Sequence, residues 1–317
     1  MIRSIAGRLG VFALSLLGAS VVIFLACQAL PGDPATALLG TSATPETIAA
    51  KRAELGLDRP LPVRYVEWVA GMLRGDFGRS FATGDSVTAL IAPTLPVTGS
   101  LAALSLLLAI VIALPLGMVS ALRRRHWQGG AVSVLAQLGM AVPAFWAGIL
   151  LSIFFGVRLR VLPPNMYVPF AQDPVEWARH LVLPVVSLAL VQAAVLIRYV
   201  RSAFLEVLHE DYFRTARAVG WTQGRALLRH GVRNAALSLV TVLGLQLAAI
   251  LVGAVVVEKV FILPGLGSLL LTYADRKDVM VLQAVVMLLV LAVLVINALV
   301  EVAYVLIDPR LRAGGRA

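Results

Sequence analysis

Charge is the scarcest commodity in this 317-residue chain: Asp, Glu, Lys and Arg make up 14% of it, against 60% hydrophobic residues. An ordinary soluble domain is about 25% charged and about 45–50% apolar, so a water-soluble globule of this composition would lack the polar surface to cover itself. The chain reads as a polytopic membrane protein. Lysine is rarer still. Lys51, Lys259 and Lys277 are the only three, and none follows a glycine, which excludes a phosphate-binding loop of the G-x-x-x-x-G-K-[ST] kind. Gly75-Asp76-Phe77-Gly78-Arg79-Ser80 is glycine-rich, yet it has no lysine to reach β/γ-phosphates. If ATP drives this protein, another polypeptide hydrolyses it. The single cysteine, Cys27, excludes an intramolecular disulfide. The four histidines (His126, His180, His209, His230) are scattered without metal-ligand spacing, and no Ser-His-Asp set stands out. No catalytic, cofactor-binding or metal-ligating residue is therefore assigned.

Ionisable groups within the apolar runs are almost missing too. In membrane proteins such groups usually mark ion relays. Here the candidates are Glu258 and Glu301, both near the ends of apolar runs, where interfacial anchoring is the simpler reading. That scarcity, and the lack of an internal repeat, weigh against a proton- or sodium-coupled carrier.

What is present is six apolar runs near residues 9–30, 97–122, 132–157, 181–200, 235–257 and 279–307, each near the roughly 20 residues a bilayer crossing needs. The first exceeds the roughly 7–15 residues of a signal h-region, and we expect it to be retained as a helix. The arginines set the orientation. With the amino terminus inside, cytoplasmic segments hold Arg3, Arg8, the run Arg123-Arg124-Arg125, seven arginines between Arg198 and Arg233, and Arg310, Arg312 and Arg316. In residues 31–96 the bases Lys51, Arg52, Arg59, Arg64, Arg74 and Arg79 are offset by seven acids. The positive-inside rule then puts both termini in the cytoplasm. The net charge of +10 thus points to membrane lipid, not to nucleic acid, as the partner.

The outer segment, 31–96, is too patterned for a plain loop. Pro31-Gly32-Asp33-Pro34 ends the first run. Thr44-Pro45-Glu46 reads as an N-cap, a proline at the first helical position and an early acid, with Gly56 to close that helix. A second helix is expected from Pro62 to Leu73, ending near Gly75. Two readings stay open, a small cap resting on the membrane and a surface for a solute-delivering partner. Small residues recur at helix-contact spacing in Gly244, Ala248, Ala249 and Gly253, and again in Ala109, Ala113 and Gly117. They suit close packing within the chain or a pore- or partner-facing stripe.

About 35 residues separate the fourth and fifth runs, too many for a structureless loop. Phe204, Leu205, Leu208 and Tyr212 have helical spacing; a shorter helix after Tyr212 can carry Ala216 and Val219 on one side and Arg214, Arg217 and Arg225 elsewhere, and Gly220 interrupts it. Such a helix could lie on anionic lipid or fit a groove on a cytoplasmic partner.

Here a resemblance becomes specific. Thr215-Ala216-Arg217-Ala218-Val219-Gly220, followed by Arg229-His230 and Arg233-Asn234-Ala235, resembles the cytoplasmic coupling loop of bacterial ABC importer permeases. The similarity is to the dipeptide/oligopeptide/nickel permease family in its longer, first-permease form, and it spans nearly the whole chain. Pro31-Gly32-Asp33-Pro34, the 55–62 stretch LGLDRPLP, Gly75 to Ser80, Pro143-Ala144-Phe145-Trp146, the 180–184 stretch HLVLP, the 253–258 stretch GAVVVE, Pro264-Gly265-Leu266-Gly267 and Asp308-Pro309-Arg310 follow in that family's order. Val219 stands where the family commonly has lysine, Ser238 where it has proline, and Ala284 where it has glycine.

The resemblance implies an all-helical, MetI-like fold in a bacterial plasma (inner) membrane: a first helix at 1–30, an outer segment at 31–96, a five-helix core at 97–307 that includes a coupling loop at 201–235, and a tail at 308–317. It implies a non-catalytic subunit that works with a second homologous permease, two ATP-binding subunits carrying the ATP and Mg, and an extracytoplasmic solute-binding protein, on short peptides or peptide-like solutes. ATPase coupling would fall to Asp211, Tyr212, Arg214, Thr215, Ala216, Arg217, Ala218 and Gly220, with Ala216, Ala218 and Gly220 giving close approach and the charged residues setting register. The turn at 257–267, with Glu258, Pro264, Gly265 and Gly267, is the candidate outer gate, and Gly244, Ala248 and Gly253 are candidate helix-packing positions. The rival classes are a self-sufficient secondary carrier and a membrane sensor or assembly factor without transport.

Overall fold

Helix is the element that a lipid solvent demands, because it satisfies backbone N–H and C=O groups within one segment. The computed structural model describes residues 2–30, 32–40 and 43–307, with backbone alone at 2–6, 8, 230, 233–234, 236–238 and 303–307. Pro31, the Asp308-Pro309-Arg310 motif and the 308–317 tail lie outside the described residues, as do the side chains of His230, Arg233, Asn234 and Ser238. Among the described residues the regular elements are helices. In order they are α1 (Ile2–Gln28), α2 (Pro34–Leu39), α3 (Pro45–Glu54), α4 (Leu61–Leu73), α5 (Val87–Ile91), α6 (Leu95–Leu122) and α7 (Trp127–Ala141). They continue with α8 (Ala144–Leu151), α9 (Pro174–Val207), α10 (Asp211–Ala218), α11 (Gln223–Ala226), α12 (Val232–Phe261), α13 (Leu266–Asp275) and α14 (Val279–Ile307).

Among the described residues five stretches are long and apolar enough to cross a membrane, and a sixth is counted if a bent pair is taken as one span. The bent pair is the expected 132–157 span. It breaks between α7 and α8 with a 96° turn. Pro143 is the cause: it has no N–H to continue the ladder and pushes its predecessor out of helical geometry. Val142 accordingly sits at φ −89°, ψ 121°, and α8 restarts after Pro143 before widening into a π turn over Ser152–Arg158. The fourth span also differs, since α9 runs 34 residues instead of the twenty or so apolar ones. It opens at Asp173, whose carboxylate accepts from the Val175 and Glu176 N–H groups at 2.9 and 3.1 Å. It continues through Arg198 and Arg201 because arginine is a good helix former and neither glycine nor proline occurs between Pro184 and Gly220.

The chain divides into two compact units, Met1–Thr98 with Pro264–Val295, and Gly99–Leu263 with Ile296–Ala317. In the first, α3 has the expected start. Thr44 accepts from the Thr47 N–H, and Thr47 accepts from that of Thr44. Gly56 and Gly75, which follow α3 and α4, adopt positive φ of +66° and +76°. The end of α1 packs on α4 and α14 through Phe24, whose ring stands 5.4 Å from Tyr65 and 5.9 Å from Trp68. Ser20 of α1 and the Tyr65 hydroxyl share a 2.8 Å hydrogen bond.

The polar keystone of this unit is Asp278, 1% exposed. Its Oδ2 accepts from the Ser80 hydroxyl at 2.6 Å and the Ala82 N–H at 2.9 Å, while Oδ1 accepts from the Val281 N–H at 3.3 Å. One carboxylate thus caps α14 and ties the loop before α5 to it. A buried carboxylate is tolerable only with such donors around it.

In the second unit α9 is the hub, packed on α12, α7 and α8. Small residues set the spacing. Ala109 and Ala113 of α6, Ala136 of α7, and Ala189 and Ala193 of α9 form one buried cluster. A Cβ on Gly117 would lie 2.5 Å from Val200 Cγ1, and one on Gly139 would lie 2.9 Å from the Cβ of Ala194. For Ala109, Ala113 and Gly117 the stripe is therefore used for packing within the chain.

Asp278→Ala should destabilise the detergent-solubilised protein by roughly 3 kcal/mol, because it strands buried donors, and Asp278→Asn should cost less. Indistinguishable thermal unfolding of Asp278→Ala and the parent would remove the clamp from this account.

Candidate functional site

The segment between α9 and α12 is built around α10. Eight residues are too few to hold a helix alone, so tertiary packing holds it. Asp211 in its first turn and Arg217 in its last complement the helix dipole. Phe213, 4% exposed, is the anchor. It joins a buried cluster with Val200, Ala203, Phe204 and Val207 of α9 and with Ala226 and Leu227. Ala216 and Trp221 close over the same cluster, half-buried.

The turn that ends α10 follows from its hydrogen bonds. The N–H groups of Val219, Gly220 and Trp221 donate to the carbonyls of Thr215, Arg217 and Ala216 at 3.1, 3.1 and 3.2 Å. Gly220 takes φ +98°, a value that L side chains rarely adopt, and a Cβ there would meet nothing within 4 Å. The glycine is required by the backbone and not by any neighbour in this chain. Arg217 Nη1 donates to the Trp221 carbonyl at 2.5 Å, and the Arg229 guanidinium stands 5.8 Å from the Trp221 ring.

The outward face of α10 holds Asp211, Tyr212, Arg214, Thr215, Arg217 and Ala218, all exposed. Arg214 and Asp211 lie 3.5 Å apart, a solvated pair worth little by itself. With Arg225 and Arg229 also exposed, the surface is cationic overall. Of the predicted residues, Ala216 faces inward and helps to seat the helix, while Ala218 and Gly220 face outward. Val219 does not share the inner side with Ala216 as its spacing suggested. It caps the helix and is 75% exposed. The sequence reading missed Phe213, although a side chain with no polar atom among Asp211, Tyr212, Arg214 and Thr215 was the available signal.

The other predicted residues fall in separate places. Glu258 lies in the last turn of α12, in the second unit, and is 0% exposed. Its side chain is enclosed by protein, whereas Glu301 is exposed near the end of α14. The Glu258 carbonyl accepts from the N–H of Ile262 and, at 2.8 Å, from that of Leu263, closing α12 with Ile262 at φ +54°. Pro264, Gly265 and Gly267 belong to the first unit. Pro264 is exposed, and the two glycines are buried where α13 begins. There the Leu266 N–H donates to Thr98 Oγ1 at 2.8 Å. Gly244 is buried, with Val300 Cγ2 2.7 Å from where its Cβ would be, and Leu188 Cδ2 is 3.2 Å from that of Gly253. Ala248 is half-buried and Ala249 exposed. Among the described residues no group of three His, Cys, Asp or Glu side chains converges as a metal site.

Residues 113–313 match the family described as binding-protein-dependent transport system inner membrane component, and residues 1–102 match the N-terminal region described for the same kind of membrane component. A peptide transport system permease protein of Brucella abortus (strain 2308) is 42% identical over 293 residues, covering 92% of this chain and 93% of that protein. The glutathione transport system permease protein GsiC of Salmonella choleraesuis (strain SC-B67) is 40% identical over 298 residues, covering 94% and 95%. Among solved structures, a chain of the MetNI methionine ABC transporter in an inward-facing conformation superposes with a TM-score of 0.57 at 19% identity, covering 69% of this chain and 96% of that one. That likeness is one of fold.

Phe213→Ala should loosen α10 by about 3 kcal/mol, read as faster amide exchange over residues 211–220. Val219→Lys, on the exposed cap, should change stability by less than about 0.5 kcal/mol. Equal exchange in Phe213→Ala and the parent would show that packing does not seat the helix.

Proposed function

This chain belongs to the family of binding-protein-dependent transport system inner membrane components, and on that premise we propose how it couples ATP to solute import. It is a multi-pass permease subunit that lines the pathway together with a second, homologous permease. Two ATP-binding subunits, which carry the ATP and Mg, dock from the cytoplasm. An extracytoplasmic binding protein delivers the solute, and both termini face the cytoplasm. The names of its relatives, peptide and glutathione permeases, favour short peptides or peptide-like solutes as cargo.

The observation that carries this reading is the two-sided character of α10. Its inner side is fastened by Phe213 into the cluster shared with α9 and α12, while Asp211, Arg214, Arg217 and Ala218 stay in solvent. A helix that short, fixed to the ends of two long ones, moves with them. Packed elements of this sort shift between discrete arrangements instead of deforming smoothly, so displacement of a docked ATPase would reach α9 and α12 directly. The exposed arginines suit a partner groove bearing acids, and Ala218 lets a partner backbone come close.

Gly220 is a poor place to test docking, because any side chain at φ +98° strains this chain itself. Ala218→Trp avoids that difficulty. In a reconstituted complex with its binding protein it should cut solute-stimulated ATP hydrolysis and uptake by about tenfold or more, while the permease keeps its melting temperature. Full activity in Ala218→Trp would rule out α10 as the docking element.

A further inference from the structure

Two of the three sides of α4 are occupied. One packs on the C-terminal half of α1, where Phe24 stacks on Tyr65 and Trp68 and where Val69 and Met72 join the same apolar cluster. The second side carries Arg64, Glu67 and Gly71 and faces a cavity that Glu54, Arg59 and Asp76 also line. Glu67 bonds Arg59 at 3.0 Å. The charges within the helix are thus gathered on this side, and Arg74 follows its last turn. The third side is open and apolar. Val63, Val66, Ala70 and Leu73 recur at steps of 3, 4 and 3 residues, the spacing of one helix face. Val63, Val66 and Leu73 are 46%, 62% and 83% exposed, and Pro62 beside them is exposed too.

The depth of α4 says what covers that face. α1 is long and apolar enough to cross a membrane, and its far side exposes Leu14, Leu17, Val22 and Leu25. The Tyr65 hydroxyl meets Ser20 eight residues before α1 ends at Gln28, which at 1.5 Å per residue is about 12 Å down the helix. Phe24, four residues before that end, is about 6 Å down. α4 therefore lies alongside the last turns of a membrane-crossing helix and not above them. Tyrosine and tryptophan are enriched at that level of a bilayer. A side chain pointing away from the protein there meets lipid, at the boundary between headgroups and acyl chains.

We propose that α4 is an interfacial helix, with its Val63, Val66, Ala70 and Leu73 face seated in the phospholipid leaflet at the C-terminal end of α1. Helices that lie in a membrane surface divide their residues in this way, apolar side chains into the lipid and charged ones out of it. The four side chains offer no hydrogen bond, which suits acyl chains better than a partner that comes and goes through water. Seated so, α4 fixes the height of the segment between α1 and α6 on the membrane. The proposal stands without the import reading, which enters only in making this the extracytoplasmic leaflet.

The test uses the purified permease complex in phosphatidylcholine nanodiscs, without binding protein. A nitroxide is attached at Val66→Cys, at Leu73→Cys or, as a lipid reference on α1, at Leu25→Cys. The unsubstituted complex, whose Cys27 is buried, is treated in parallel and any signal subtracted. Oxygen concentrates among acyl chains, whereas a soluble nickel chelate stays in water. Oxygen should relax both α4 labels more than the chelate does, at a depth of about 5–10 Å into the headgroup–acyl boundary. Stronger relaxation by the chelate at either position puts the face in water and overturns the proposal. Weak relaxation by both reagents overturns it as well, and gives the face to another protein, the second permease or a further copy of this chain. Where a cysteine variant fails to assemble, the unsubstituted complex in lipid with a diazirine on its acyl chain decides instead. Photolabel on residues 62–73 is expected, and its absence there ends the proposal. Uptake by the same variants reads the import function separately, since transport can survive the loss of this lipid contact.

Discussion

A hydrocarbon layer offers no hydrogen bonds, and that constraint governs where this chain is permitted to stop being helical. Three breaks among the described residues are each closed by a specific acceptor or donor. At the α7–α8 corner the missing donor is that of a proline, and the Val142 N–H reaches back to the Gly139 carbonyl at 3.4 Å. At the end of α12 the Glu258 carbonyl takes two N–H groups, and the Met166 N–H covers the Phe261 carbonyl at 3.0 Å. At the start of α13 a threonine hydroxyl takes the place of the missing helical turn. Unsatisfied groups in such surroundings cost several kcal/mol each, so these few polar contacts decide which non-helical turns the fold can contain.

Much of this was legible beforehand, and what was missed has physical causes. Apolar run length located the spans, because lipid selects directly for length and hydropathy. The N-cap at Thr44 and the stops at Gly56 and Gly75 were legible because capping is a local matter of side chain and φ. The boundaries of α9 were not, since a helix continues by propensity after its apolarity ends and Arg198 and Arg201 do nothing to stop it. The corner at Pro143 was concealed by apolar residues on both sides, in a window where hydropathy outweighs one imino acid. Phe213 was passed over because a hydrophobic residue in a polar loop acquires meaning only from what α9 and α12 bring to it.

Buried polar groups were the least legible class. Glu258 looked interfacial from its position along the run, yet tertiary structure encloses it. Asp278 and Ser80 come from two stretches far apart in the chain, and no periodicity connects them. The departures at Val219 and Ala284 divide along the same line. Val219 is on the surface, where packing within the chain does not constrain it, whereas Ala284 is wholly buried in the cluster with Val87, Ile91 and Tyr273, where side-chain size is a matter of core packing.

The link between Ser80 and Asp278 spans 198 residues, and it sets an order of events during synthesis. A ribosome adding roughly 5–20 residues per second delivers Asp278 about 10–40 s after Ser80, with most of the membrane spans made in between. During that interval the loop before α5 has its donors in place and no carboxylate to receive them. The first unit, which contains α1, is completed only when the start of α14 arrives. A chain released before that point would have the first unit incomplete, with the Ser80 hydroxyl and the Ala82 N–H left without their acceptor.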